Sequence, residues 1–375
     1  MSLRWQFFDG KAAKEASDDV NVFDALKSSM TIKIVVSRAA GQIAYSLLPL
    51  LCRGLIFGSS ERLEIRLLDI PEAELALLGV KMELEDCTFT LTESILSTSK
   101  LEIAFRDVDV ALLLGGFPRK EGMQRCVMRF CVVIFKAQGR VLETYANEDV
   151  KVLVVANPAN TNCWITMKHA PRIARRNLIA LTRLDQERLR AVLCQRLNGN
   201  RSFQRNSPFD VSKCIIWGNH SNTQVPDCTF ATFHLPDDPQ GEQQVSEEVA
   251  ECFSDIIAHV RKREASVLQA RKLSSAISAA SAIAPHLKDW FCGNQASINN
   301  KELISMGVCS DDNKYGIPCD LIYSFPVRCL CNGEYQIVSD LQVSSSIQSD
   351  MNASAEELLL EKNQALEMVS SPIGS

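Results

Sequence analysis

Short apolar runs alternate with stretches of helical spacing through the first half of the chain. Residues 32–36 are a β-branched run, and residues 42–54 after them read as a helix. A second run, 63–70, contains Asp69 at its end and leads into a helix over 71–86 that opens on acidic residues. The run at 108–114 meets Gly115-Gly116, a long helical region follows, and two further runs occupy 152–155 and 178–182. Continuous apolar strands separated by helices predict an α/β chain with a parallel sheet covered on both faces. Such sheets bind ligands beyond the carboxyl ends of their strands.

After about residue 183 the segments become longer and more polar. Residues 198–208 (Asn-Gly-Asn-Arg-Ser-Phe-Gln-Arg-Asn-Ser-Pro) read as an inserted surface loop, and 236–248 as an acidic, glutamine-rich one. Residues 251–284 read as one long helix, with alanine- and serine-rich turns at 274–282 suited to close packing. An amphipathic helix from Ala353 closes the chain at Ser370-Ser371-Pro372. The change of character divides the chain into an N-terminal extension (1–30), a first domain (31–182) and a second (183–375).

Composition narrows the function without naming it. Hydrophobic residues make up 46% and charged residues 23% of 375, as in ordinary globular proteins. The net charge of −5 gives no whole-chain reason for a nucleic-acid or anionic-membrane partner. No apolar run approaches the roughly 18–20 residues of a spanning helix. The 14 cysteines are scattered, with no Cys-x-x-Cys and no zinc spacing, which fits free thiols in a reducing compartment and no metal. Acidic residues in the first 30 positions argue against a secretory signal or an arginine-rich transit peptide. Met30 precedes the first strand, so the leader is either an extension or a misplaced start. The cytosol is the default location.

The richest chemistry lies in Trp217-Gly218-Asn219-His220, which follows Arg183-Leu184-Asp185 by about 30 residues. Imidazole titrates near neutral pH, an aspartate can fix its tautomer, and a guanidinium can grip a carboxylate bidentately. His169, His234, His259 and His286 lack such surroundings. Asp69, 28 residues after Gly41, puts a carboxylate at the end of the second apolar run, a position that by itself says little.

In this setting the chain resembles the lactate/malate dehydrogenase family, in its cytosolic-type malate dehydrogenase branch. The blocks that carry the likeness run in order from about Ile32 to Ser371. They include Ala39-Ala40-Gly41-Gln42-Ile43-Ala44, Leu67-Leu68-Asp69-Ile70, Phe117-Pro118-Arg119-Lys120-Glu121-Gly122-Met123, Asn157-Pro158-Ala159-Asn160-Thr161-Asn162, Ala270-Arg271-Lys272-Leu273-Ser274-Ser275-Ala276 and Tyr323-Ser324-Phe325-Pro326-Val327. The resemblance implies a Rossmann-type doubly wound sheet domain followed by an α+β catalytic domain, NAD as cofactor, a dicarboxylate substrate (malate or oxaloacetate) and a homodimer. It implies His220 as general base, Asp185 as its brace, and Arg183 on the substrate's C1 carboxylate. Arg119 and Arg125, on a mobile lid loop, would hold the distal carboxylate and polarise the reacting carbonyl. Asn157 would touch substrate and cofactor, and Gly41, Gln42, Ile43, Asp69 and Gln138 would hold NAD.

Several positions depart from the family. The fingerprint Gly-x-Gly-x-x-Gly falls on Val36-Ser37-Arg38-Ala39-Ala40-Gly41, so Arg38 replaces the glycine that lets the backbone approach a pyrophosphate. The segment from Arg125 to Val132 is one residue shorter and lacks an NAD-contacting asparagine, and Ala156 replaces a glycine. Glu264 stands where the family has a small residue near the reaction centre; its carboxylate would repel a dianion, or, with the helix rotated, would be a solvated surface charge. Three readings follow. The first, favoured because the catalytic set is intact, is an active NAD-dependent malate dehydrogenase. The second is a weakly active or inactive paralogue serving as a binding or structural subunit. The third is a relative with a shifted 2-hydroxy-acid preference, against which Arg119 argues for a dicarboxylate.

Overall fold

The computed structural model describes residues 31–116, 124–199, 211–235, 238–245 and 252–370. The leader 1–30 and the body of the 198–208 loop lie outside them. Strands β1 (Ile32–Ser37), β2 (Leu63–Leu68), β3 (Thr92–Thr98), β4 (Val110–Leu113), β5 (Lys151–Val154) and β6 (Leu178–Ala180) pair in parallel in the order 3-2-1-4-5-6. β3 has no counterpart among the sequence runs, because its burial is only partial and its apolar residues are few.

Alternation along these strands builds two cores, one on each face. Ile34, Val36, Ile65, Leu67, Leu112 and Leu153 belong to one, whereas Val35, Leu68, Ala111, Leu113, Val152 and Val154 belong to the other. The first packs on helix α1 (Gln42–Cys52), whose Ala44, Leu47, Leu48 and Leu51 form the apolar stripe that predicted it. The region 71–86 is a 3-10 turn, Pro71–Ala73, followed by α2 (Glu74–Asp86). The short α3 (Leu101–Ala104), the 22-residue α4 (Gln124–Tyr145) and α5 (Ala159–Lys168) complete the first half.

The second half builds two small sheets of its own, and it also lengthens the first sheet. Helix α6 (Arg183–Gly199) leads to β7 (Val211–Ser212), β8 (Ile215–Trp217), β9 (Val225–Asp227) and β10 (Thr232–Leu235). Within the expected loop at 236–248, residues 238–244 are instead a strand, β11 (Asp238–Gln244), held by antiparallel backbone pairing with β10. The two small sheets are β7 with β10 and β11, and β8 with β9. The expected single helix over 251–284 is two helices, α7 (Phe253–Arg271) and α8 (Ile277–Cys292). Lys272 turns left-handed at φ 59°, and Arg271 donates to the Ser274 carbonyl across the corner. Two consecutive serines compete for backbone hydrogen bonds there, a helix stop subtler than glycine or proline. After the short α9 (Gln295–Ile298), strands β12 (Ile304–Cys309), β13 (Ile322–Cys329) and β14 (Tyr335–Ile337) extend the first sheet antiparallel beyond β6. The closing helix α10 spans Ser345–Ser370, starting before Ala353.

The join between the two halves is the Gly307–Ala180 pair of β12 and β6. A Cβ at Gly307 would lie 2.9 Å from both the Cβ and the carbonyl oxygen of Ala180. Gly307→Val is therefore expected to lower unfolding free energy by about 1–3 kcal/mol, the usual cost of overpacking a tight core. Urea denaturation measures it; an unchanged midpoint would mean that the join is not close-packed.

Candidate active site

The strand order reverses between β1 and β4, and a cavity of about 510 Å³ opens there, at the carboxyl ends of the strands. Its walls come from both halves of the chain. Arg38, Gly41, Gln42 and Ile43 supply the β1–α1 turn, while Gly116, Ala156 and Asn157 follow β4 and β5. Leu184 and Arg188 come from α6, His220 from the turn after β8, and Glu264, Lys272 and Ser275 from α7 and the corner beyond it.

His220 is set by backbone fixtures rather than by its own strand. Gly218 and Ser324 exchange backbone hydrogen bonds at 3.2 and 2.9 Å. Gly218 has φ 93°, and a Cβ there would strike the Ser354 hydroxyl, so only glycine fits. The Asn160 side chain accepts the His220 amide at 3.0 Å and donates to the Ile322 carbonyl at 2.9 Å. The ring Nδ1 is then hydrogen-bonded to the Asp185 carboxylate, which is fully buried. Asp185 also receives Arg188 Nη1 at 2.9 Å, so the buried charge is paired twice. Burial pulls the His220 pKa down, but the Asp185 carboxylate and, more weakly, Glu264 outweigh it, and the net shift is upward. Burial pushes Asp185 the other way, yet His220 and Arg188 hold its pKa below the ordinary carboxylate value.

His220 thus offers Nε2 to the cavity with its other nitrogen committed, the arrangement a proton-transferring imidazole needs. His286 makes an instructive contrast. It is fully buried in α8, neither ring nitrogen has a partner, and burial beside Arg183 lowers its pKa to about 3. It stays neutral and exchanges no proton near pH 7.

Arg183 requires a correction. It does not line the cavity: its Nε meets Glu187 at 2.7 Å and its Nη1 meets Asp289 at 3.0 Å. The reason is helical geometry. Residues two apart on a helix do not share a face, whereas those three or four apart do. Arg183 therefore faces Glu187, and the arginine beside Asp185 in the cavity is Arg188, held by Asp185 and by Ser275 Oγ at 3.3 Å. The Asp185-x-x-Arg188 spacing was the overlooked clue.

The other expected positions divide. Gly41, Gln42, Ile43 and Asn157 line the cavity. Asp69 sits just past β2, where its carboxylate accepts the amides of Ala40 at 3.0 Å and Ile70 at 2.9 Å. It is fixed beside the β1–α1 turn, outside the cavity wall itself. Gln138 is a second correction: α4 turns it inward, only 5% of it is exposed, and it takes no part in the wall. Arg119 lies outside the described residues. Arg125 belongs to the first turn of α4 rather than to a loop, and its side chain lies outside the described part.

The cavity's features suit a dinucleotide with one reservation. Helix α1 starts at Gly41 with no side-chain cap, leaving its first amides for an anion. The buried Asn157 Oδ1 has no partner. Arg38, however, adopts φ 52°, a left-handed conformation that costs a non-glycine residue roughly 1–2 kcal/mol. Its guanidinium donates to the Gly116 carbonyl at 2.6 Å and so bridges the crevice from the β1–α1 turn to the segment after β4. Among the described residues no His/Cys/Asp/Glu cluster could hold a metal ion, and no helix is long and apolar enough to cross a membrane.

Comparison with known proteins agrees with this architecture. Residues 32–179 match the lactate/malate dehydrogenase NAD binding domain, and residues 182–369 match the α/β C-terminal domain of the same family. Cytoplasmic malate dehydrogenase of Gallus gallus is 43% identical over 341 residues, covering 91% of this chain and 98% of the relative. The Homo sapiens protein of that name is 42% identical over 344 residues, 92% of this chain and 99% of its own. Among solved structures, malate dehydrogenase from Naegleria fowleri superposes with a TM-score of 0.82 at 41% identity, covering 90% of this chain and 98% of its own. Lactate dehydrogenase from Trichomonas vaginalis, in complex with NADH and oxamate, gives 0.83 at 31% identity, with 91% and 99% covered.

Replacing Asp185 by Asn would leave burial as the chief influence on His220 and lower its pKa, which an NMR titration of the imidazole reads directly. The linkage has a definite sign. A histidine with a raised folded-state pKa stabilises most below its unfolded value of about 6.5 and loses that contribution as pH rises through the folded value. The stability lost in Asp185→Asn should therefore be larger at pH 6 than at pH 9. An equal loss at both would mean that the pair does not carry the charge.

Proposed function

The chain belongs to the lactate/malate dehydrogenase family, and from that premise we propose that it is an NAD-dependent malate dehydrogenase interconverting malate and oxaloacetate. The observation that carries the reading is the buried Asp185–His220 pair presenting Nε2 to a cavity at the β1/β4 crevice. Residues 31–182 would hold the dinucleotide and 183–375 complete the substrate end. Gly41, Gln42 and Ile43 would take the pyrophosphate at the α1 terminus, and Asp69 would take the ribose.

NAD, when bound, would supply the hydride acceptor at the substrate's C2. The protein's residues do the rest. His220 takes the hydroxyl proton at Nε2 during oxidation and returns it during reduction. Asp185 holds the tautomer and stabilises the imidazolium, and Arg188 offers its guanidinium to the C1 carboxylate. Asn157 orients the reacting group. Arg119 and Arg125 are assigned to the distal carboxylate and the carbonyl on resemblance alone.

A second reading, a weakened or inactive binding subunit, is kept because Arg38 spans the crevice. A cytoplasmic location follows the relatives' printed names. A homodimer would cover the exposed Tyr45, Leu75, Leu78 and Met82 on α1 and α2.

Purified protein should oxidise NADH in the presence of oxaloacetate, followed by loss of nicotinamide absorbance. His220→Asn should lower kcat/KM by about 10²–10⁴-fold, the usual worth of general acid–base catalysis, while sparing NADH binding. A variant that keeps its rate would sink the base assignment. No turnover by the parent protein, with no NADH binding in calorimetry, would leave the binding-subunit reading. Arg38→Gly should tighten NADH binding by relieving backbone strain and opening the crevice; weaker binding would show instead that Arg38 contacts the phosphates.

A further inference from the structure

The substrate end of the cavity already contains a carboxylate of the chain itself. Glu264 lies on α7 at four-residue intervals from Ile256 and Val260, both fully buried, and from Leu268, which lines the cavity. That spacing is one helical face, so the packing of Ile256 and Val260 turns Glu264 inward. Arg261 fixes the same rotation from the side, donating to the Gln224 carbonyl at 2.8 Å and meeting Asp350 at 3.2 Å. The Glu264 side chain lies at the cavity wall with 38% of it still exposed, so the carboxylate meets both the cavity and solvent.

Its two oxygens point at the two groups that would work on a substrate. Oε1 accepts from Asn157 Nδ2 at 3.1 Å, and Oε2 stands 4.0 Å from His220 Nε2. Among the described residues, the other charges on the wall are cationic: Arg38, Arg188 and Lys272. Arg188 is already neutralised by Asp185. A carboxylate bridging Asn157 and His220 occupies the place where a 2-oxo or 2-hydroxy acid would present its own oxygens.

We propose that Glu264 is a specificity-determining residue of this site: its carboxylate fills the substrate position between Asn157 and His220, and it penalises incoming anions in proportion to their charge. The inference rests on the assignment of the cavity as a 2-hydroxy-acid dehydrogenase site and goes beyond it. An entering substrate must displace the Glu264–Asn157 hydrogen bond and then sit beside a residual negative charge. The repulsion scales with the product of charges, so a dicarboxylate suffers about twice the penalty of a monocarboxylate. Glu264 thus sets the balance between oxaloacetate and a monoanion such as pyruvate, and it acts on binding rather than on hydride transfer.

The test compares the parent protein with Glu264→Gln, which removes charge but keeps size, and Glu264→Ala, which also clears the space. Both should lower KM for oxaloacetate by about tenfold or more, with a smaller change in kcat, as charge removal at contact range implies. The ratio of kcat/KM for oxaloacetate to that for pyruvate should rise in both variants; a merely structural effect would move both substrates alike. Tartronate, a dicarboxylate 2-hydroxy acid, gives a reading independent of turnover when its binding to the NAD-loaded protein is followed by calorimetry. Tighter tartronate binding in both variants upholds the inference, even if no variant oxidises NADH and the proposed reaction falls. An unchanged tartronate Kd together with an unchanged substrate ratio overturns the role of Glu264 while leaving the reaction standing.

Discussion

One buried hydrogen bond organises the His220 end of the cavity, that between the carboxylate of Asp185 and the ring of His220. An ionised aspartate with no exposure is expensive to bury unless its charge is met on more than one side. Here the imidazole and Arg188 do this, and each partner is held in turn. Arg188 rests on Ser275, at the corner between α7 and α8, and His220 hangs from Asn160, Gly218 and Ser324. Five separated stretches of chain are thus committed to one charge, and the cavity is the space they leave. Removing any one of them would strand a polar group, so the same contacts serve folding and chemistry.

The β1–α1 end of the cavity is governed by a different constraint, the closeness of backbone to backbone at the β1/β4 reversal. Arg38 is forced into the left-handed region where glycine would rest without strain, and its side chain crosses to Gly116. The two ends of the cavity therefore carry complementary departures: a cation of the chain stands where an anionic cofactor would approach, and an anion stands where an anionic substrate would approach. Both are held by hydrogen bonds, Arg38 to Gly116 and Glu264 to Asn157, that a ligand entering there would have to break. His220 and Asp185 themselves are undisturbed.

Much of the frame was legible from periodicity. Continuous apolar runs at β1, β2, β4, β5 and β6 announced strands buried on both faces, and the stripe of α1 announced a helix against them. β3 escaped because a half-buried edge strand carries too few apolar residues to form a run. The break between α7 and α8 escaped because it rests on a left-handed lysine and two serines, not on glycine or proline. Within the site, His220 and Asp185 were readable because their residue types and surrounding blocks are distinctive. Arg183 was mistaken for a ligand grip, since a linear reading weighs nearness in sequence, while a helix groups residues three and four apart.

The sequence alone determined which elements form, how they alternate, and which imidazole and aspartate are chemically equipped, because propensity and pattern are local properties. It could not determine which guanidinium faces the cavity, whether Glu264 points inward, or where the Arg38 side chain ends. Those outcomes depend on helix rotation and on partners more than a hundred residues away, such as Asn157 for Glu264 and Asp289 for Arg183. Packing decides rotation, and packing exists only once the distant segments have met.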